Sequence, residues 1–190
     1  MQSMWELDVS PTRFKAHFSL DPGVACLNHG MLGACPISVQ QRQSTLRAQL
    51  ERQPAAFVLR ALPALLDTAR NCLAEVIGAD PQDLLLLPNV TTAMSAVLRS
   101  RIFAPGDQIL TTDHAYLSCR NLLDFIARST GAEVMVAPVK VPVHHPDAIV
   151  DAVLERVTAR TRLAVLDHVT SPTAIVFPIA RLVERLAALG

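Results

Sequence analysis

Lysine is almost missing from this chain. Of the 17 basic residues among its 190, two are lysine, Lys15 and Lys140, and the rest are arginine. Any chemistry that needs a primary amine therefore has two candidates. Charged residues make up 18% of the sequence and aromatics 4%, where an average soluble domain carries roughly 25% charged residues. Seventeen basic and seventeen acidic side chains cancel to a formal charge of zero, so no diffuse field draws the protein to nucleic acid or to an anionic membrane, and neither is expected as a partner. No apolar run approaches the roughly 20 residues that cross a bilayer. Residues 1–8 lack a basic stretch followed by an apolar one, so they do not read as a secretory signal, and a cytoplasmic location is expected. Cys26, Cys35, Cys72 and Cys119 form no Cys-x-x-Cys pair and no metal-finger spacing; they read as scattered thiols. What is abundant is apolar surface, 51% of the residues, which excludes a disordered chain.

Ser10-Pro11 has the form of a helix start, with the helix running to about Phe18. Asp21-Pro22-Gly23 turns the chain into a brief extended stretch over 24–27 that ends in Asn28-His29-Gly30, and a second glycine, Gly33, follows closely. Glycines set so near an Asn and a His suggest a backbone that bends close to something. Pro36 opens a long polar helix through Gln49. Residues 55–77 read as helical with a break at Pro63 and a Gly78 cap. Beyond this the pattern changes. Strands are expected at 84–87, 108–112, 133–137 and 163–166, alternating with helices at 92–101, 117–129, 147–157 and 178–189. Short buried strands alternating with helices predict an α/β fold, a mostly parallel sheet with helices on both faces.

Such sheets bind ligands beyond the carboxyl ends of their strands. After 84–87 come Thr91 and Thr92 at a helix start, where free N–H groups favour an anion such as phosphate; a plain N-cap is the alternative. After 108–112 come Asp113, His114 and Tyr116, whose rings could stack on a planar ligand, with His114 also suited to proton transfer. After 163–166 come Asp167, His168, Thr170, Ser171 and Thr173. Each cluster could instead be a capped polar loop, but all three fall toward one sheet edge. His144 and His145 lie in a proline-rich connection expected to face solvent. No metal-ligand spacing, Gly-x-Gly-x-x-Gly fingerprint, phosphate-binding Gly-Lys-Ser/Thr loop or Gly-x-Ser-x-Gly elbow is present, which disfavours a nucleotide-binding domain.

The stretches LNHG at 27–30, LLPNVTT at 86–92, PGDQILTTDHAY at 105–116 and TRLAVLDHVTSPT at 161–173 resemble, in order and spacing, the class V aminotransferase family of pyridoxal-phosphate enzymes, in its isopenicillin N epimerase-like branch. The resemblance implies fold type I: a large domain with a mostly parallel seven-stranded sheet, a small C-terminal domain, a homodimer, and an amino acid substrate. It implies that Thr91 and Thr92 hold the phosphate of pyridoxal 5'-phosphate, that His114 or Tyr116 stacks on the pyridine ring, that Ser171 bonds the phenolic oxygen, and that Asn28 and His29 line the substrate entrance. Ala174 departs from the family, which usually has glycine there.

The family's next strand carries an Asp for the pyridine nitrogen, and a later Lys forms the Schiff base. Neither has a counterpart among residues 1–190, so no catalytic residue is assigned. The expectation is an incomplete large domain: an N-terminal segment over 1–53 and a partial cofactor-binding domain over 54–190. This would be the N-terminal part of an epimerase, lyase or transaminase, inactive alone. The alternative is a truncated non-catalytic product, or a subunit whose partner supplies Asp and Lys.

Overall fold

The structure, a computed structural model, describes residues 14–189, so Ser10 and Pro11 of the first expected helix lie outside the described residues. That helix does not reach Phe18, which pairs instead with Pro36 in an isolated antiparallel bridge. The chain divides into two compact units, residues 1–85 and 86–190.

In the first unit a single turn, His29–Leu32, precedes helix α1 (Ile37–Arg52), which buries none of its residues. A short turn at Pro54–Ala56 and a wide π turn at Phe57–Ala61 lead into α2 (Leu62–Ile77). The irregularity expected at Pro63 thus falls just before it. The Leu62 N–H reaches back to the Phe57 carbonyl, and this widened turn accommodates Pro63, which follows in an uninterrupted helical run and has no N–H to give the preceding turn. Gly78 ends α2 in the left-handed region, its N–H on the Ala74 carbonyl.

The second unit runs α3 (Val90–Arg99), β1 (Gln108–Thr112), α4 (Leu117–Thr130), β2 (Glu133–Ala137), α5 (Pro146–Leu154), β3 (Thr161–Ala164) and α6 (Ile179–Ala187). The three strands are parallel in the order β2-β1-β3. All five residues of β1 are buried. Successive side chains point to opposite faces, so Ile109 joins Leu98, Phe103, Leu123 and Ile126 of the α3–α4 side, while Leu110 joins Val150, Val153, Phe177 and Leu182 of the α5–α6 side. Full burial of each such side chain stabilises by roughly 1.5–3 kcal/mol. Helices therefore cover both faces, as the alternating pattern requires.

Two strand expectations need correction. Residues 84–87 form no strand; Leu85 is 79% exposed, and a run of leucines is no strand without a neighbour to complete its hydrogen bonds. The last strand begins at Thr161 rather than 163, with Arg162 as an extra residue where the register against β1 shifts between Gln108 and Ile109. The Val165 N–H still donates to the Leu110 carbonyl at 2.8 Å, so pairing runs on past Ala164. Buried Gln108 is satisfied sideways, donating to Glu133 Oε2 at 3.2 Å and accepting from Thr158 Oγ1 at 2.6 Å.

The turn into β1 is held by Asp107. Its Oδ2 accepts the Ala104 N–H at 2.8 Å and its Oδ1 accepts from Arg162 Nε at 3.1 Å. The Ala104 bond, opposed by desolvation and reinforced by the Arg162 guanidinium, holds this carboxyl below its ordinary range. Its stabilising effect is complete above the ordinary carboxylate range and fades as the pH falls through the depressed value. Gly131 closes α4 at φ 79°, and a Cβ there would lie 3.3 Å from Pro105 Cα and 3.1 Å from Pro105 Cβ. Gly131→Ala is therefore expected to destabilise the protein by about 2 kcal/mol, from left-handed strain and contact with Pro105 together. An unchanged urea midpoint would contradict this.

Candidate functional site

The carboxyl ends of β1 and β3 meet through side chains far apart in sequence. Asp113, just past β1, accepts the Val139 N–H through Oδ1 at 2.9 Å. His114 is 7% exposed. Its Nε2 lies 2.8 Å from the Val139 carbonyl and its Nδ1 2.7 Å from Thr173 Oγ1. Thr173 Oγ1 is 2.8 Å from Thr170 Oγ1, which accepts the Ile175 N–H at 2.9 Å. From the other direction, Asp167 Oδ2 accepts the Tyr116 N–H at 3.1 Å. The loop after β1 and the loop after β3 are thus latched twice.

The sequence clusters at 113–116 and 167–173 accordingly form one neighbourhood. Tyr116 sits at the start of α4, 39% exposed. Ser171 is exposed at the tip of the turn between the paired residues Val169 and Val176. Ala174 closes that turn, its N–H on the Thr170 carbonyl at 2.8 Å. It does so at φ 53°, a region that disfavours residues bearing a Cβ.

Thr91 and Thr92 lie in the first turn of α3, both exposed. Neither is the cap. Asn89 is, its Oδ1 accepting the Thr92 N–H at 2.8 Å, which is why the helix starts two residues before the expected 92. Both hydroxyls remain directed to no partner among the described hydrogen bonds, and so do the Val90 and Thr91 N–H groups. Such a helix start suits an anionic oxygen cluster. Asn28 and His29 belong to the first unit. Asn28 precedes the His29–Leu32 turn without capping it, and His29 Nδ1 accepts the Ala34 N–H at 3.5 Å. Of the two glycines there, Gly33 is the constrained one: a Cβ would meet the His29 carbonyl oxygen at 2.8 Å, while Gly30 has open space.

Other polar groups stay apart. A largely apolar concavity of about 520 Å³ is lined by Val139, Lys140, Val143, His144 and Ile149, among others, and by none of the candidate site residues. His144 and His145 are exposed as expected, and His145 Nδ1 also caps α5 by accepting the Asp147 N–H at 3.2 Å. No group of three metal-ligating side chains occurs among the described residues. Nor is any described helix long and apolar enough to cross a membrane. The residues that sequence reasoning grouped but did not single out are Thr170, Thr173, Asp113 and Asp167. Their only signal was their density at strand ends.

The second unit is thus a parallel α/β layer with a latched polar edge and an open helix start. The family model of aminotransferase class V matches residues 41–190, and the chain belongs to that family. It is 40% identical to isopenicillin N epimerase of Streptomyces clavuligerus over 172 residues, 90% of this chain and 43% of that protein. To a putative L-cysteine desulfhydrase of Oryza sativa subsp. japonica it is 33% identical over 178 residues, 86% of this chain and 37% of that one. The chain thus spans less than half the length of these relatives. Among solved structures, the cysteine desulfurase CsdA from Escherichia coli shares the fold with a TM-score of 0.76 at 22% identity, over 94% of this chain and 46% of that one. The cystine C-S lyase C-DES matches with a TM-score of 0.71 at 24% identity, over 80% of this chain and 40% of its own. A C-DES variant carries glycine covalently linked to its PLP cofactor.

Two outcomes are expected from the local geometry. Ala174→Gly relieves the left-handed strain, less the entropy glycine gains in the unfolded chain, and raises stability by about 1 kcal/mol in chemical denaturation. Burial, together with the Asp167 carboxylate, pushes the Cys119 thiol up. Cys119 should therefore be alkylated far more slowly in the native protein than exposed Cys35 and Cys72, as peptide mapping after a timed pulse of iodoacetamide would show.

Proposed function

We propose that this chain is the N-terminal part of a pyridoxal-phosphate-dependent enzyme that acts on an amino acid or a sulfur-containing amine by epimerisation, lyase cleavage or transamination. The observation that carries the proposal is the latched edge, where His114, Tyr116 and the Ser171 turn are gathered by the His114–Thr173 and Tyr116–Asp167 bonds. Family membership and the names of the epimerase and desulfhydrase relatives support it. The donor set fits the cofactor: the Thr91 and Thr92 hydroxyls with the open N–H groups of α3 would hold phosphate, a flat ring at His114 or Tyr116 would lie on the pyridine, and the exposed Ser171 hydroxyl would bond the phenolic oxygen. When bound, the cofactor supplies an electron sink for charge developing on the substrate's α-carbon. This chain's residues bind and orient; Asn28 and His29 line the substrate entrance. The functional division, a segment over 1–53 ahead of a cofactor-binding portion over 54–190, then does not coincide with the two compact units.

In this reading residues 1–190 are inactive alone, since neither lysine is suited to carry the cofactor. Lys15 lies in the first unit and Lys140 in the β2–α5 connection. The assembled enzyme is a homodimer. That lysine shortage also favours a second reading, a non-catalytic product or a subunit whose partner supplies the missing Asp and Lys.

Borohydride reduction of the full-length protein with pyridoxal phosphate is expected to fix the cofactor on a lysine outside residues 1–190. Fixation on Lys15 or Lys140 would contradict the first reading, and fixation only after a partner is added would favour the second. Thr91→Val and Thr92→Val should each weaken cofactor binding roughly tenfold, the equivalent of losing one hydrogen bond to a charged group. Titration of the cofactor's absorbance reads this directly.

A further inference from the structure

We infer that Thr173, oriented by Thr170, is a positioning residue that holds His114 in one tautomer, with the proton on Nε2 and Nδ1 accepting. The argument is a count of donors along the chain of bonds between the two loops. A carbonyl oxygen only accepts, so the 2.8 Å contact with Val139 requires a proton on Nε2. At the far end the Ile175 N–H donates to Thr170 Oγ1. The Thr170 proton then has two possible acceptors: Thr173 Oγ1 at 2.8 Å and the Ile175 carbonyl at 3.4 Å. The shorter bond directs it to Thr173. Thr173 is left with its own proton to give, and His114 Nδ1 at 2.7 Å is the protein acceptor within reach of it. Every donor then has a short acceptor, and Nδ1 carries none.

A proton on Nδ1 would reverse this bond: Thr173 would accept from the ring, and its own hydrogen would have to turn back toward Thr170 or out to solvent, since Thr173 is exposed. Asp113 Oδ1, 3.7 Å from Nε2, lies beyond hydrogen-bond reach of the ring and accepts the Val139 N–H instead.

The consequence concerns what His114 can do. Both ring nitrogens are committed to the protein, so His114 has no lone pair or proton free for a substrate. It offers a fixed ring face. Of the two roles its residue type allows, stacking and proton transfer, the hydrogen bonds leave the first. The tautomer rests on this chain's own bonds; only the use of the ring as a platform for a planar cofactor rests on the proposed function.

The test is long-range proton–nitrogen correlation NMR on the full-length protein labelled with ¹⁵N-histidine, the His114 signals being assigned by their loss in His114→Gln. The expected wild-type spectrum, without cofactor, has a pyrrole-like Nε2 and a pyridine-like Nδ1 displaced by hydrogen bonding. Thr173→Val should move Nδ1 to the unbonded end of the pyridine-like range, and Thr173→Ser should restore it. Two pyrrole-like nitrogens, the opposite tautomer, or an Nδ1 signal indifferent to Thr173→Val would overturn the inference. If Thr173→Val does not fold, the wild-type and Thr173→Ser spectra still decide it, since the wrong tautomer in either contradicts the assignment. Failure of the cofactor reading would leave these spectra unchanged, and failure here would leave the borohydride result unchanged.

Discussion

The central strand Gln108–Thr112 is buried at every residue and flanked by a parallel partner on each edge. A strand so enclosed cannot reach water, so its backbone groups must find their partners in the neighbouring strands. Its side chains must divide between two apolar layers. The alternation of Ile109 and Leu110 does this, with α3 and α4 closing one layer and α5 and α6 the other. The remaining architecture of the second unit follows from satisfying this one strand.

The same constraint governs the strand ends. Where β1 stops, side chains tie the loops at the strand ends to one another. Asp113 and His114 reach to Val139 beyond β2, Asp167 reaches back to Tyr116, and Thr173 reaches to His114. These bonds fix the two loops against each other. Ala174 at φ 53° is the strained point of the turn that carries Thr173, and the bonds of Thr170 to both Thr173 and the Ile175 N–H hold the turn around it.

The first unit is built differently. Among its described residues Ala74 alone is buried. Helix α1 is mostly polar and buries none of its residues, and α2 leaves Leu66, Leu73, Val76 and Ile77 exposed. Helices of this length gain most of their stability from tertiary burial rather than from propensity. The unit therefore has little core of its own, and the chain spans less than half the length of its relatives.

Local pattern made the second unit legible. The limits of β1 and β2 follow from short apolar runs bounded by Asp107 and Asp113 or opened after Gly131, and the helices follow from their periodicity. Residues 84–87 misled because four consecutive leucines carry no sign of whether a neighbouring strand exists. The start of α3 was misplaced because Asn89 and Thr92 are both good caps, and only the backbone geometry chooses between them. The family, too, was legible, since its motifs are contiguous stretches. By itself the sequence determined the α/β alternation, the family, and the kinds of polar group at each strand end, because these depend on neighbours within a few residues. Only the tertiary structure decided which of those groups touch: Tyr116 and Asp167 are 51 residues apart, and His114 and Thr173 are 59 apart. Hydrogen bonds across such separations exist only once parallel pairing has brought the strand ends side by side.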